Sequence, residues 1–177
     1  MNLPNKLTIG RMIAVPFFIA AYLFGYAPAA LVIFIAASIT DYFDGKIARS
    51  QNLITNFGKI MDPLADKILV YSALCLFIES DIIKAWMLIL ILAREFIVAG
   101  MRTVAAAEGT VLAAGMSGKI KTFLQMVAVI VYLFALCVNN ARPAVMMTGN
   151  VIFWASLVMT VYSGVEYVWK NRNVFSM

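Results

Sequence analysis

The chain contains no histidine and only two cysteines, Cys75 and Cys137. Without imidazole, the usual general base and the usual nitrogen ligand for a metal are both missing. Two cysteines inside separate apolar runs make no thiolate metal site and read as packing residues. Charge is scarce as well: Asp, Glu, Lys and Arg make up 13% of the 177 residues, about half the ~25% of soluble domains. Any acid–base or metal chemistry therefore falls to a small number of carboxylates.

What fills the space instead is hydrocarbon. Hydrophobic residues make up 63% of the chain and the mean hydropathy is +0.91, the composition of a membrane protein. The length predicts a single domain over residues 1–177. Apolar runs and helix breakers predict an all-α integral membrane fold of six transmembrane helices, near residues 5–24, 28–49, 57–79, 82–107, 117–138 and 145–169. Pro28 suits a first helical turn, while Glu79 to Asp81, Gly115 to Gly118 and Asn139 to Pro143 mark turns.

The sparse basic residues orient these spans. Lys6, Arg11, Lys46, Arg49, Lys59, Lys67, Arg94, Arg102, Lys119, Lys121, Lys170 and Arg172 fall toward one side of the six-span layout; Lys84 and Arg142 fall toward the other. That asymmetry predicts a multi-pass protein of the cell membrane with both termini at the cytoplasmic face. The net charge of +5 is then topological and calls for no nucleic acid. Lys67, Arg94 and Arg102 lie deeper in their spans than the other cations and need partners.

The acids are concentrated where the apolar pattern is interrupted. Of nine, four lie between Asp41 and Asp66, in the stretch DYFDGKIARSQNLITNFGKIMDPLAD. Asp41 and Asp44 are three apart, Asp62 and Asp66 four apart, so each pair occupies one face of a helix. Asp41, Asp44, Gly45 and Ala48 cover about 100° of that face, which sets two small side chains beside two carboxylates. Gly58, Asp62 and Asp66 share a face of the next span, and Pro63 is expected in its first turn or at a kink.

Burying a carboxylate in a bilayer costs roughly 2.5–3.5 kcal/mol even on the lenient insertion scale. Four together also repel one another. Protonation, pairing with Lys or Arg, or divalent cations would compensate. Oxygen donors without sulfur or imidazole suit hard ions such as Mg²⁺ or Mn²⁺, and a two-ion clamp suits displacement at phosphorus.

Asp41, Asp44, Gly45, Ala48, Arg49, Gly58, Asp62 and Asp66 together write D-x2-D-G-x2-A-R-x8-G-x3-D-x3-D. This spacing resembles the signature of the CDP-alcohol phosphatidyltransferases, whose six-span fold is similar to the layout of the whole chain. The resemblance implies transfer of a phosphatidyl group from CDP-diacylglycerol to an alcohol, with release of CMP, using two divalent cations at the cytoplasmic side. It implies that Asp41, Asp44, Asp62 and Asp66 hold the metals and that Asp66 is also the base. Asp41, Gly45, Ala48, Arg49 and Gly58 would line the CDP-lipid pocket. Asn5 and Thr8, with Arg11, would either help hold the nucleotide or cap and anchor the first helix.

The acceptor is read outside this signature. The stretches NLPNKLTIGR (2–11), REFIVAGMR (94–102) and GKIKTFLQ (118–125) resemble the branch of the family that uses sn-glycerol 3-phosphate. An acceptor with its own phosphate needs fixed cations, and Arg94, Arg102, Lys119 and Lys121 are the candidates. They are otherwise ordinary cytoplasmic-end residues, and Arg94 is otherwise an ion pair with Glu95. Inositol phosphate, serine and phosphatidylglycerol are the alternative acceptors. A cation-coupled transporter is the alternative from another class, one in which the aspartates bind the transported ion. The resemblance also implies a homodimer, and Gly149 and Gly164 permit close helix contacts.

Overall fold

The computed structural model describes residues 3–50, 56–107, 109–110, 112, 115–139 and 141–172; among these, the side chains of residues 3–6, 41–50, 56–60, 62, 63 and 66 lie outside the description. The described residues form six helices and no strand: α1 (Leu3–Leu23), α2 (Ala27–Ser50), α3 (Asn56–Glu79), α4 (Ala85–Ala107), α5 (Met116–Cys137) and α6 (Arg142–Lys170).

Local chemistry sets several of these limits. Pro28 and Pro143 are second residues of α2 and α6, where a missing N–H costs no helical bond. The α1–α2 turn contains Gly25 at φ 77°, a left-handed conformation that glycine adopts without strain. Helix α4 starts at Ala85, three residues later than hydropathy predicts. Asp81 adopts φ 55° and pairs with Lys84 at 3.0 Å, so a turn occupies residues that would otherwise continue the helix. Helix α3 starts at Asn56, which places Pro63 inside the helix and not in its first turn.

Helix α1 packs on α2 and α3, α2 on α3 and α5, and α5 on both α6 and α3; α4 packs on α6 and α3. Aromatic rings fill the centre. Phe18 of α1 meets Phe34 of α2 at 5.8 Å between centroids, and Tyr132 of α5 meets Phe77 of α3 edge-on at 5.3 Å. Phe153 of α6 closes the cluster against Tyr132 at 6.1 Å. At the end of the bundle that holds the α1–α2 and α3–α4 turns, the Tyr22 hydroxyl and Ser80 Oγ share a hydrogen bond of 2.8 Å.

The exterior is as apolar as the core. Large hydrophobic side chains are exposed on every helix, among them Phe17, Val32, Ile68, Ile89, Phe123 and Val158. Exposed apolar surface on this scale marks contact with lipid or with another protein. Helices α5 and α6 are long and apolar enough to cross a bilayer. Cys75 lies on this outer surface and Cys137 is half-buried, so packing accounts for the second cysteine and not the first.

One glycine lets α6 approach α5 closely. A Cβ at Gly149 would stand 2.8 Å from the Tyr132 ring, and that ring is fully buried and hydrogen-bonded to Asn150 at 2.8 Å. Gly149→Ala is expected to destabilise the bundle by about 1–3 kcal/mol through overpacking. Thermal unfolding in detergent measures this: Tm falls clearly for Gly149→Ala and little for Gly100→Ala, where a Cβ meets nothing within 4 Å.

Candidate active site

Helices α2 and α3 carry the acidic signature. Asp41, Asp44, Gly45, Ala48 and Arg49 stand in the last turns of α2, and Gly58, Asp62 and Asp66 stand in the first half of α3. Their backbones are helical and the two helices pack together. Their side chains, and that of Asn5, lie outside the described residues. Among the described residues no three His, Cys, Asp or Glu side chains form a cluster able to hold a metal.

Next to Asp66 in the chain is Lys67, and there the described geometry begins. Lys67 Nζ lies 3.2 Å from Glu95 Oε2, which ties α3 to α4. Arg94 Nη1 donates to Glu95 Oε1 at 2.7 Å. Lys121 of α5 donates to the same Oε1. One carboxylate thus pairs with three cations on three helices, accepting hydrogen bonds from Arg94 and Lys121.

Glycines shape the place of Arg94. A Cβ at Gly164 of α6 would come within 2.9 Å of Arg94 Cγ, and one at Gly118 of α5 within 3.1 Å of Arg94 Nη2. The Arg94 side chain therefore lies in a slot between α5 and α6, its stem against Gly164 and its guanidinium against Gly118, that larger residues would narrow. Farther along α4, Arg102 Nε donates to the Tyr167 hydroxyl at 3.1 Å, and its guanidinium stacks 5.3 Å from the ring centre. Lys119 is exposed. Of the four acceptor candidates, Arg94 and Lys121 are brought together, Arg102 is held by Tyr167, and Lys119 is without a described partner.

On α1, Thr8 and Arg11 are buried. Arg11 also lines a cleft of about 400 Å³ between α1 and α2, with Leu7, Gly10, Ala14, Ile33 and Thr40. Thr40, the residue before Asp41, is the last of the cleft's described lining residues on α2. A second groove, of about 420 Å³, lies between α4 and α6 beside Arg94 and is lined by Leu90, Ile97, Val161 and Val165. Glu166 accepts from Ser117 at 2.6 Å across α5 and α6, the interhelical role expected of a polar group there. Tyr162, one turn away, is exposed.

Sequence reasoning paired Glu95 only with Arg94 and left Lys67 without a role. A signal for the wider cluster was present: Glu95 is the one acid between Asp81 and Glu108, set inside an apolar run.

An all-helical bundle with an apolar exterior, an acidic pair on each of two packed helices and a buried cation cluster beside them defines a membrane-associated protein with an internal polar site. The family model for CDP-alcohol phosphatidyltransferases matches residues 1–162, and the chain belongs to that family. It is 42% identical to the CDP-diacylglycerol--glycerol-3-phosphate 3-phosphatidyltransferase of Bacillus subtilis (strain 168), over 96% of this chain and 95% of that protein. Proteins of the same name in Rickettsia felis and Salmonella paratyphi A are 37% and 36% identical, over 98% and 97% of this chain and 97% and 95% of theirs.

The Arg102–Tyr167 contact separates two contributions to stability. Tyr167→Phe removes the hydroxyl that accepts from Arg102 and is expected to cost about 0.5–1.5 kcal/mol. Tyr167→Ala also removes the ring packed on Val98 and Met101 and is expected to cost about 3–5 kcal/mol. Unfolding of both variants in one detergent gives the two values, and equal losses would mean that the ring packing carries nothing.

Proposed function

We propose that this chain transfers the phosphatidyl group of CDP-diacylglycerol to sn-glycerol 3-phosphate, giving phosphatidylglycerol phosphate and CMP. The observation that carries the reading is the meeting of Lys67, Arg94 and Lys121 on Glu95, directly after Asp66 in α3. Fixed cations beside an acidic signature suit an acceptor that brings its own phosphate. A serine acceptor has no phosphate and would leave them without work. The named relatives, similar along nearly their whole length, support the same acceptor.

In this reading the acceptor hydroxyl attacks the phosphorus that bears the diacylglycerol. The bond from that phosphorus to the bridging oxygen breaks, and CMP departs with the oxygen. Asp66 takes the hydroxyl proton, in a chain that has no histidine to do so. Gly45, Ala48, Arg49 and Gly58, with Asn5 and Thr8, line the nucleotide side, and small side chains there allow close approach. Arg94, Lys121, Arg102 and Lys119 attract and orient the acceptor phosphate.

Members of the family generally use divalent metal ions. The donor set fits two of them, Mg²⁺ or Mn²⁺: four carboxylates on two packed helices, with no nitrogen or sulfur donor among them. Asp41, Asp44, Asp62 and Asp66 would hold these ions, which would neutralise charge on the diphosphate.

The proposed setting is the cell membrane, with six spans in one domain over residues 1–177, both termini and the active site cytoplasmic, and two copies forming a homodimer. Exposed apolar residues on all six helices support the spans, and the bias of basic residues supports the orientation. In this reading the α1–α2 cleft that includes Thr40 admits lipid chains.

Purified protein with labelled CDP-diacylglycerol tests the reading. CMP release is expected to require both a divalent cation and glycerol 3-phosphate, and release that depends on neither overturns it. Asp66→Asn is expected to lower turnover by about 10²–10⁴-fold while CDP-lipid binding persists. Retained turnover would remove Asp66 as the base.

A further inference from the structure

Among the described residues, three positive groups share one negative group at Glu95, so the described cluster holds a surplus of positive charge inside the bundle. The side chains of Lys121, Glu95 and Arg94 are only 3%, 11% and 13% exposed. Solvent screens such a surplus poorly, and an unbalanced buried charge is costly. No other described acid relieves it. Glu79 and Asp81 lie at the α3–α4 turn, and Glu166 is bonded to Ser117 and Lys170. Arg94 Nε is buried and has no hydrogen-bond partner among the described residues.

The cluster has one open side. Lys67 is 41% exposed, and it is the member joined in sequence to the acidic half of α3. Its ammonium contacts Glu95 Oε2, while Arg94 and Lys121 take Oε1. The two oxygens thus hold one accessible cation and two enclosed ones at fixed positions.

We infer that Glu95 is the positioning residue of the acceptor site: it holds Lys67, Arg94 and Lys121 together so that a phosphate monoester dianion, entering on the Lys67 side, completes their charge balance. Lys67 thereby joins the cradle as its entrance. Three cations against one carboxylate and a dianion come to near neutrality, since a phosphate monoester carries about −1.5 to −2 at pH 7. Without the carboxylate, three like charges from three helices repel, and the flexible lysine ammoniums separate. The inference rests on the proposed use of a phosphate-bearing acceptor.

Glu95→Gln keeps the shape of the side chain and one acceptor oxygen but removes the charge. Its KM for glycerol 3-phosphate is expected to rise at least tenfold, with KM for CDP-diacylglycerol within twofold and kcat at saturating acceptor within threefold of wild type. Glu95→Asp, which keeps the charge, is expected to recover part of the loss. Lys67→Met, at the exposed member, is expected to raise the acceptor KM at least fivefold, and to add little to Glu95→Gln in the double variant.

A brace that only joins helices would lower kcat or the folded fraction and leave KM unmoved, and that result overturns the inference. So does a lower acceptor KM in Glu95→Gln, the mark of a carboxylate competing with substrate. If Glu95→Gln does not fold, an unchanged acceptor KM in Lys67→Met decides against the inference alone. Wild-type protein that releases CMP with phosphate-free alcohols and not with glycerol 3-phosphate overturns the acceptor reading as well.

Discussion

The attraction of three helices to one carboxylate is the contact on which the polar interior depends. In a chain with so few charges, each buried ion needs a partner, and Glu95 serves Lys67, Arg94 and Lys121 together. This joins α3, α4 and α5 by charge where their remaining surfaces offer hydrocarbon. Because lipid is as apolar as leucine, apolar packing alone gives little preference for one helix arrangement inside a membrane. Part-buried polar contacts such as Tyr132 with Asn150 and Ser117 with Glu166 supply additional fixed registers between α5 and α6.

The division of labour follows from helix positions. Helices α2 and α3 bring carboxylates, α4 and α5 bring cations, and the consecutive residues Asp66 and Lys67 join the two sets. Small residues make the arrangement possible: Gly118 and Gly164 leave the slot in which Arg94 lies, and Gly149 lets α6 approach Tyr132. In the proposed reaction this places a site for the diphosphate beside a site for the acceptor phosphate. Their separation limits repulsion between two anionic substrates, since each has its own positive charges.

Much of the fold was legible because it is local. Apolar runs set the helices, and Pro28 and the Glu79–Asp81 turn set ends that agree closely with the observed ones. The exception has a local cause: α4 begins late because Asp81 and Lys84 make a turn. The acidic signature was legible as spacing alone, which helices preserve. The Glu95 cluster was less so, because its members come from residues 67, 94, 95 and 121. Sequence could say that Lys67, Arg94 and Arg102 need partners; only packing assigns Glu95 to the first two and Tyr167 to the third. Cys75 shows the converse limit, since an apolar run does not tell the inward face of a membrane helix from the outward one.

The acids of α2 and α3 are proposed to hold a pair of divalent cations beside the cation cluster. Electron paramagnetic resonance of Mn²⁺ bound to the protein with CDP-diacylglycerol tests this most directly. The expected result is a spin-coupled Mn²⁺ pair that disappears when Asp41 and Asp62 are both replaced by Asn. A single uncoupled ion in the wild type, or a coupled pair that survives the double replacement, would contradict it.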